Sequence, residues 1–190
     1  PSICDVIRNL GGMWKLLFPS KLSIYLDLPQ NFDMKVGGRF YRGELARIAG
    51  DLAARGAKPL DDDALRTAIA QENERRAAID ALDALRRAEP WQVAASEAYA
   101  VVRAGATIPA KAHAELVRRF VAAVAERKPR IYDNVRVVLR GGFCEQPPIA
   151  LIRALERAGC DIVDDDFQLG LRMIEGPIEV AEGEEPLHAI

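Results

Sequence analysis

The segment NVRVVLRGGFCEQPPIALIRALERAGCDIVDDDF, residues 134–167, restricts the fold more than any other part of the chain. The apolar run Val135 to Leu139 reads as a strand, and Gly141 and Gly142 turn the backbone. Pro147 or Pro148 then opens a helix that stops near Gly159, and a second strand runs from about Asp161 to Val163. Strand, helix and strand at this spacing make a βαβ unit, which predicts parallel strands joined by a right-handed crossover. Two parallel strands cannot cover both faces and both edges of a sheet, so the unit implies further strands elsewhere. The sequence starts at PSICD without an initiator Met and stops at GEEPLHAI soon after this layer opens. The expectation is therefore an internal fragment whose partner strands lie C-terminal to it.

Before the βαβ unit the pattern is mostly helical. From Asp5 to Phe18, Val6, Leu10, Met13, Trp14 and Leu17 recur at steps of three and four, predicting a helix with one buried stripe, weakened by Gly11 and Gly12 and ended by Pro19. SIYLDL then predicts a short strand with Ile24, Leu26 and Leu28 on one face. A loop with Gly37 and Gly38 leads to YRGELARIAGDLAARG, an amphipathic helix with Leu45, Ile48, Ala49 and Leu52 inward and Gly56 as its stop. The stretch PLDDDALRTAIAQENERRAAIDALDALRRAEP predicts a long helix, with Leu65, Ile69, Ile79, Leu82 and Leu85 as apolar positions. Its acids near the start and Arg86 and Arg87 near the end oppose the helix dipole. Two further helices are predicted from about Gln92 to Ala104 and from Pro109, a first-turn proline, to about Glu126. The expected organisation is the end of an N-terminal α/β domain over 1–40, a helical region over 41–130, and the start of a C-terminal α/β domain over 131–190. The fold class is thus α/β, an incomplete Rossmann- or flavodoxin-like domain behind a largely helical middle.

Composition narrows function by exclusion. With 190 residues, 49% of them hydrophobic, the chain can bury a sizeable core. Lys15 interrupts the first apolar run and charges interrupt every later one, so no segment approaches the roughly 20 residues of a membrane span. The net charge of −2, from 26 basic and 28 acidic side chains, leaves no basic excess for a nucleic acid backbone. Cysteines at 4, 144 and 160 are odd in number and lack CxxC spacing, which points to a reduced, cytoplasmic protein. RGGFCEQ lacks the Lys–Ser/Thr of a phosphate loop, so the chain itself should not bind ATP.

Ligands of open α/β sheets bind beyond the carboxyl ends of the strands. Two clusters are expected there: GGFCEQPP, with Cys144 and Glu145, after the first strand, and the acids 164 to 166, beginning with Asp164, after the second. A glycine turn and an acidic cap account for the same residues without function. Cys4 precedes the first turn of a helix, where free N–H groups favour a thiolate, a nucleophile or metal ligand; a buried structural thiol is the alternative. Cys160, beside a helix-ending glycine, reads as core. His113 and His188 show no acidic or cysteine neighbour at ligand spacing and read as structural or surface residues, and the acids 61 to 63 read as a helix start.

Taken in order, SICDVIRNLGGMWKLLFP, DDDALRTAIAQENERR, EPWQ, GGFCEQPPIALI and DIVDDD resemble the 2-hydroxyacyl-CoA dehydratase and benzoyl-CoA reductase family, over essentially the whole chain. They are most similar to a core subunit of its ATP-dependent benzoyl-CoA reductases. Members of the family are larger, with a stretch before SICD and an α/β stretch after the present end, so the resemblance makes this chain a middle half. It implies a [4Fe–4S] cluster in each of two related core subunits, with Cys4, in ICD, as a metal ligand and the remaining ligands in the flanking stretches. Cys144 matches the FCEQPP pattern but not a ligand position, leaving Cys144, Glu145 and Asp164 as residues around the cluster or the substrate pocket. The implied activity is ATP-driven dearomatisation of benzoyl-CoA in anaerobic aromatic degradation. Implied partners are the second, related core subunit, ATP-hydrolysing activator subunits that alone bind ATP, and ferredoxin as electron donor. Adding an electron to a benzene ring needs a donor near the reducing limit of iron–sulfur centres, about −700 mV. The alternative within the family is a 2-hydroxyacyl-CoA dehydratase subunit that removes water from an acyl-CoA, and from a different class, a cluster-free assembly module.

Overall fold

The computed structural model describes residues 5–140, 147–166 and 174–190. Cys4, Cys144 and Glu145 lie outside them, as does the expected turn at Gly141 and Gly142. Two compact units emerge, one comprising the chain up to Arg66 with Glu179–Ile190, the other Thr67–Ile178.

In the first unit, helix α1 spans Asp5–Leu17, as the apolar periodicity predicts, but no described residue of it is buried. The expected inward stripe is exposed, from 51% at Trp14 to 70% at Val6. Gly11 has a reason beyond propensity: a Cβ there would lie 3.0 Å from the Tyr25 ring. The expected strand at SIYLDL is not formed: among the described residues no strand lies beside it, and two of its backbone groups bond to side chains instead. Glu44 accepts from Asp27 N at 3.3 Å, and Arg47, paired with Glu44 at 2.8 Å, donates to the Tyr25 carbonyl at 2.9 Å. Both belong to α2, Arg39–Ala53, so the segment is held against that helix. The expected glycine loop is a π-helical turn, Met34–Gly38, whose cap Asp33 accepts from Lys35 N at 2.8 Å. Gly37 is required there: a Cβ would come within 1.6 Å of the Asn31 carbonyl oxygen. Gly56, at φ +91, ends α2 as predicted, with Ala57 N donating back to Leu52 O at 3.1 Å.

Helix α3 runs over Asp62–Ala88, starting where Asp61 accepts from Ala64 N at 2.7 Å, so the acids at 61 to 63 are a helix start. In the second unit its face with Ala78, Ile79 and Leu82 packs on α4, Ala95–Ala104, and α5, Ala110–Ala125, through Ala98, Ala114, Val117 and Val124. Burying a side chain such as Leu82, 1% exposed, stabilises by about 1.5–3 kcal/mol. Pro109 stands at the cap rather than in the first turn, as does Pro148 of the later helix. His113 is structural, as expected: it is 1% exposed, and its Nε2 lies 2.9 Å from the Val101 carbonyl.

The βαβ unit forms as the sequence predicts. β1 (Val135–Leu139) and β2 (Cys160–Asp165) are parallel, joined through α6 (Ile149–Arg157) and the left-handed Gly159, φ +86. A second core of Ala95, Ile152 and Ile162, with Val137, Leu139, Tyr99 and Leu155, covers one face of the pair with α4 and α6. Val135 and Val138 stay exposed.

Candidate functional site

The carboxyl ends of the parallel pair gather the charged groups that a packed core would otherwise exclude. Strand β2 extends further than the sequence predicts, so Asp164 and Asp165 belong to the strand itself rather than to a loop after it. Their directions are set by an irregularity. Val137 pairs with Ile162 but Val138 pairs with Asp164, so Val163 is an inserted residue, a β-bulge. Side chains alternate across a strand, so without the bulge Asp164 would follow Ile162 on the core side. With it, Asp165 takes the register of Leu139, and Asp164 that of the exposed Val138.

Arg86, 6% exposed near the end of α3, meets this edge from the core side. Its Nη2 donates to Asp165 Oδ2 at 2.9 Å and to the Ile162 carbonyl at 3.2 Å. Behind it Asp83, 2% exposed, lies 3.7 Å from Arg86 Nη1 and 2.6 Å from Arg87 Nη1. Burial pushes the Asp83 carboxyl above its ordinary value, Arg86 and Arg87 oppose this, and the nearby Asp164 and Asp165 reinforce it. Asp164 Oδ1 accepts from Asp165 N at 2.8 Å, and Asp166 N continues the ladder to the Leu139 carbonyl at 3.2 Å. The edge thus mixes both signs of charge, with Arg86 on Asp165 and the exposed Arg140 3.9 Å from Asp166. Sequence reading missed Asp83, took Arg86 only as a charge near the helix end, and placed Asp165 in the acidic cluster without its partner. The available signal was spacing: Asp83 and Arg86 lie four residues beyond Ile79 and Leu82, and so continue the buried stripe of α3.

At the opposite ends of the strands lies an open cavity of about 350 Å³, lined by Trp91, Tyr132, Asn134, Glu156, Cys160 and Asp161 among others. Cys160 is accordingly half-buried at the start of β2 rather than a core thiol, because the strand begins at the rim of this cavity. In the first unit, His188 has the acidic neighbour that the sequence reading overlooked, four residues before it: Nδ1 lies 2.9 Å from Glu184 Oε1. This pair is at the surface. No grouping of three or more metal-ligating side chains occurs among the described residues, so those residues alone do not fit an iron–sulfur cluster. No helix among them is long and apolar enough to cross a membrane.

The parallel pair with its crossover helix makes this an α/β protein, and comparison with known proteins makes the class specific. The family model described as 2-hydroxyglutaryl-CoA dehydratase, D-component, matches residues 1–190, and the chain belongs to that family. It is 42% identical over 181 residues to a benzoyl-CoA reductase subunit of Thauera aromatica, covering 95% of this chain and 47% of that protein. It is 26% identical over 181 residues to the lactoyl-CoA dehydratase beta subunit of Anaerotignum propionicum, covering 95% of this chain and 46% of that one. With the (R)-phenyllactyl-CoA dehydratase beta subunit of Clostridium sporogenes, identity is 23% over 164 residues, 86% of this chain and 43% of that protein. The chain thus spans about half the length of the curated relatives it matches.

Proposed function

We propose that this chain is part of a core subunit of an ATP-dependent benzoyl-CoA reductase, which dearomatises the ring of benzoyl-CoA. The observation that carries this reading is the 42% identity, sustained over 95% of the chain, with a benzoyl-CoA reductase subunit. The two dehydratase relatives, at 26% and 23%, are more distant. They and the family description favour the second reading, removal of water from a 2-hydroxyacyl-CoA.

In this reading the resident cofactor is a [4Fe–4S] cluster, which supplies low-potential electrons, with Cys4 as one ligand and its other thiolates drawn from outside these 190 residues. Cys144, Glu145 and Asp164 stand near the acyl thioester, where the carboxylates accept hydrogen bonds from its amide N–H or hydroxyl groups. The proposed partners are a second, related core subunit, ATP-hydrolysing activator subunits and ferredoxin, in the cytoplasm. The chain then joins the end of one α/β domain, residues 1–40, to the start of another, 131–190, through the helical region 41–130.

The test is Cys4→Ser in the full-length protein, assembled with its partners. Bound iron should fall and ring reduction should stop, and unchanged iron with unchanged activity would remove Cys4 as a ligand. Assays of the wild-type enzyme on benzoyl-CoA and on a 2-hydroxyacyl-CoA separate the two readings.

A further inference from the structure

Two features of the first unit are left open side by side. Helix α1 carries Val6, Leu10, Met13, Trp14 and Leu17 along one stripe, and all five are exposed by half or more. The segment 24–28 beside it has one satisfied edge and one empty edge. The Tyr25 carbonyl and Asp27 N, two residues apart, both bond to α2, through Arg47 and Glu44, which is the two-residue period of a strand. By the same period the N–H and C=O groups of Ile24, Leu26 and Leu28 point away from α2, and among the described residues no hydrogen bond reaches them. Leu26 and Leu28 are half-buried, so their backbone groups lose water without gaining a partner. A groove joins the two features. Gly11 touches the segment at the Tyr25 ring, and next to that contact Ile7, Leu10 and Trp14 of α1, with Leu22, Ile24 and Leu26 of the segment, line an open space of about 550 Å³. A helix is about 10 Å across and neighbouring strands lie about 4.8 Å apart, so a single strand covers only half of a helix face.

We propose that this edge and this stripe form one docking surface for a parallel β-strand of the same subunit, contributed by the half of it that these 190 residues do not span. About half the length of each relative lies outside its aligned part, which is ample chain for a sheet. Chain order supplies the direction. Helix α1 leads into the segment, and a strand, a helix and a strand in sequence form a right-handed crossover, with both strands parallel and the helix over them. The strand that feeds α1 thus pairs with Ile24, Leu26 and Leu28. Its side chains on the α1 side fill the groove and meet the stripe, and an apolar, β-branched strand fits that role. Main-chain bonds hold it and the groove selects it, as in other strand additions to an open edge. The inference rests on the reading of residues 1–40 as the end of an α/β domain, and it names what completes that domain.

The experiment reads residue-resolved amide exchange in the wild-type full-length subunit, alone and with the second core subunit. In the isolated subunit the amides of Ile24, Leu26 and Leu28 should exchange at least about a hundredfold more slowly than that of Tyr25, which points to the α2 side and has no hydrogen-bond partner among the described residues. That alternation marks strand pairing, because a helix or loop lying over the segment would not produce it. In the same subunit Leu10→Ala should lower the urea midpoint by about 1 M, as burial under a sheet requires. Leu16→Ala, 82% exposed and off the stripe, should shift it little. Equal exchange at Tyr25 and Leu26, or an unchanged midpoint in Leu10→Ala, would overturn the inference. So would protection that appears only with the second core subunit, or that grows with protein concentration, since the occupant would then be that partner or a second copy. None of these readouts needs turnover. An enzyme inactive on both thioesters overturns the functional reading and leaves this inference standing, whereas an active enzyme without protection at Leu26 overturns this inference alone.

Discussion

Glu156 of α6 closes the start of α4: its two carboxylate oxygens accept from Ser96 N at 2.8 Å and from Ser96 Oγ at 2.9 Å. The residue before the helix, Ala94, has no side chain to do this. A helix start normally capped by a local side chain is thus capped by one 60 residues away, which ties the βαβ layer to the helices. Glu156→Ala should cost about 1–2 kcal/mol in urea denaturation, in the upper part of the range for lost caps. Glu156→Gln, which keeps one acceptor, should cost less, and equal losses would argue against capping as the cause.

Gly105 is required by its neighbour rather than by its backbone. Its φ of −63 suits any residue, but a Cβ would lie 2.5 Å from the His113 ring, itself held to Val101 O. Gly105→Ala should therefore lower stability by about 1–3 kcal/mol, the range for overpacking. A second substitution, His113→Ser, should make Gly105→Ala nearly neutral in that background. Thermal melts of the four proteins test the coupling.

Asp83 makes stability depend on pH in the direction opposite to a paired surface acid. Its folded carboxyl lies above the ordinary 3.8, chiefly through burial. The fold therefore binds this proton more tightly than the unfolded chain does. The stability it contributes is complete below 3.8 and is lost as pH rises through the higher folded value. Asp83→Asn should flatten this part of the stability profile and be least harmful, relative to wild type, at neutral pH. An unchanged slope between pH 3.8 and neutrality would show that Asp83 is not the titrating group.

Cys160 borders a cavity at the ends of the strands remote from Asp164. In the full-length enzyme, Cys160→Ala should retain wild-type iron and activity. Iron loss from a variant that stays folded would make Cys160 a ligand.

Gly37 provides the most severe test of local geometry. Its Cβ would come within 1.6 Å of a backbone oxygen, which cannot rotate away as a side chain can. Gly37→Ala should disrupt the turn at Met34–Gly38, with loss of amide-exchange protection there, whereas Gly43→Ala, with open space around it, should not.

The sequence alone determined what depends on neighbours along the chain. The helix periods, the acids opening α3, the glycines ending α2 and α6, and the parallel strands at Val135 and Cys160 all follow from local propensity and crossover geometry. It also carried the family, through motifs spread along the whole chain. Tertiary structure decided what depends on a partner distant in sequence. SIYLDL has a strand's alternation, but among the described residues it pairs with no strand, and its Asp27 N and Tyr25 carbonyl bond to Glu44 and Arg47 instead. The α1 stripe has the pattern of a buried face, yet periodicity says which residues point the same way, not whether anything covers them. The acids at the end of β2 look alike in sequence. Only the bulge at Val163 distinguishes Asp165, in register with Leu139 and paired with Arg86, from Asp164, in register with Val138, because register belongs to a pair of strands and not to either one.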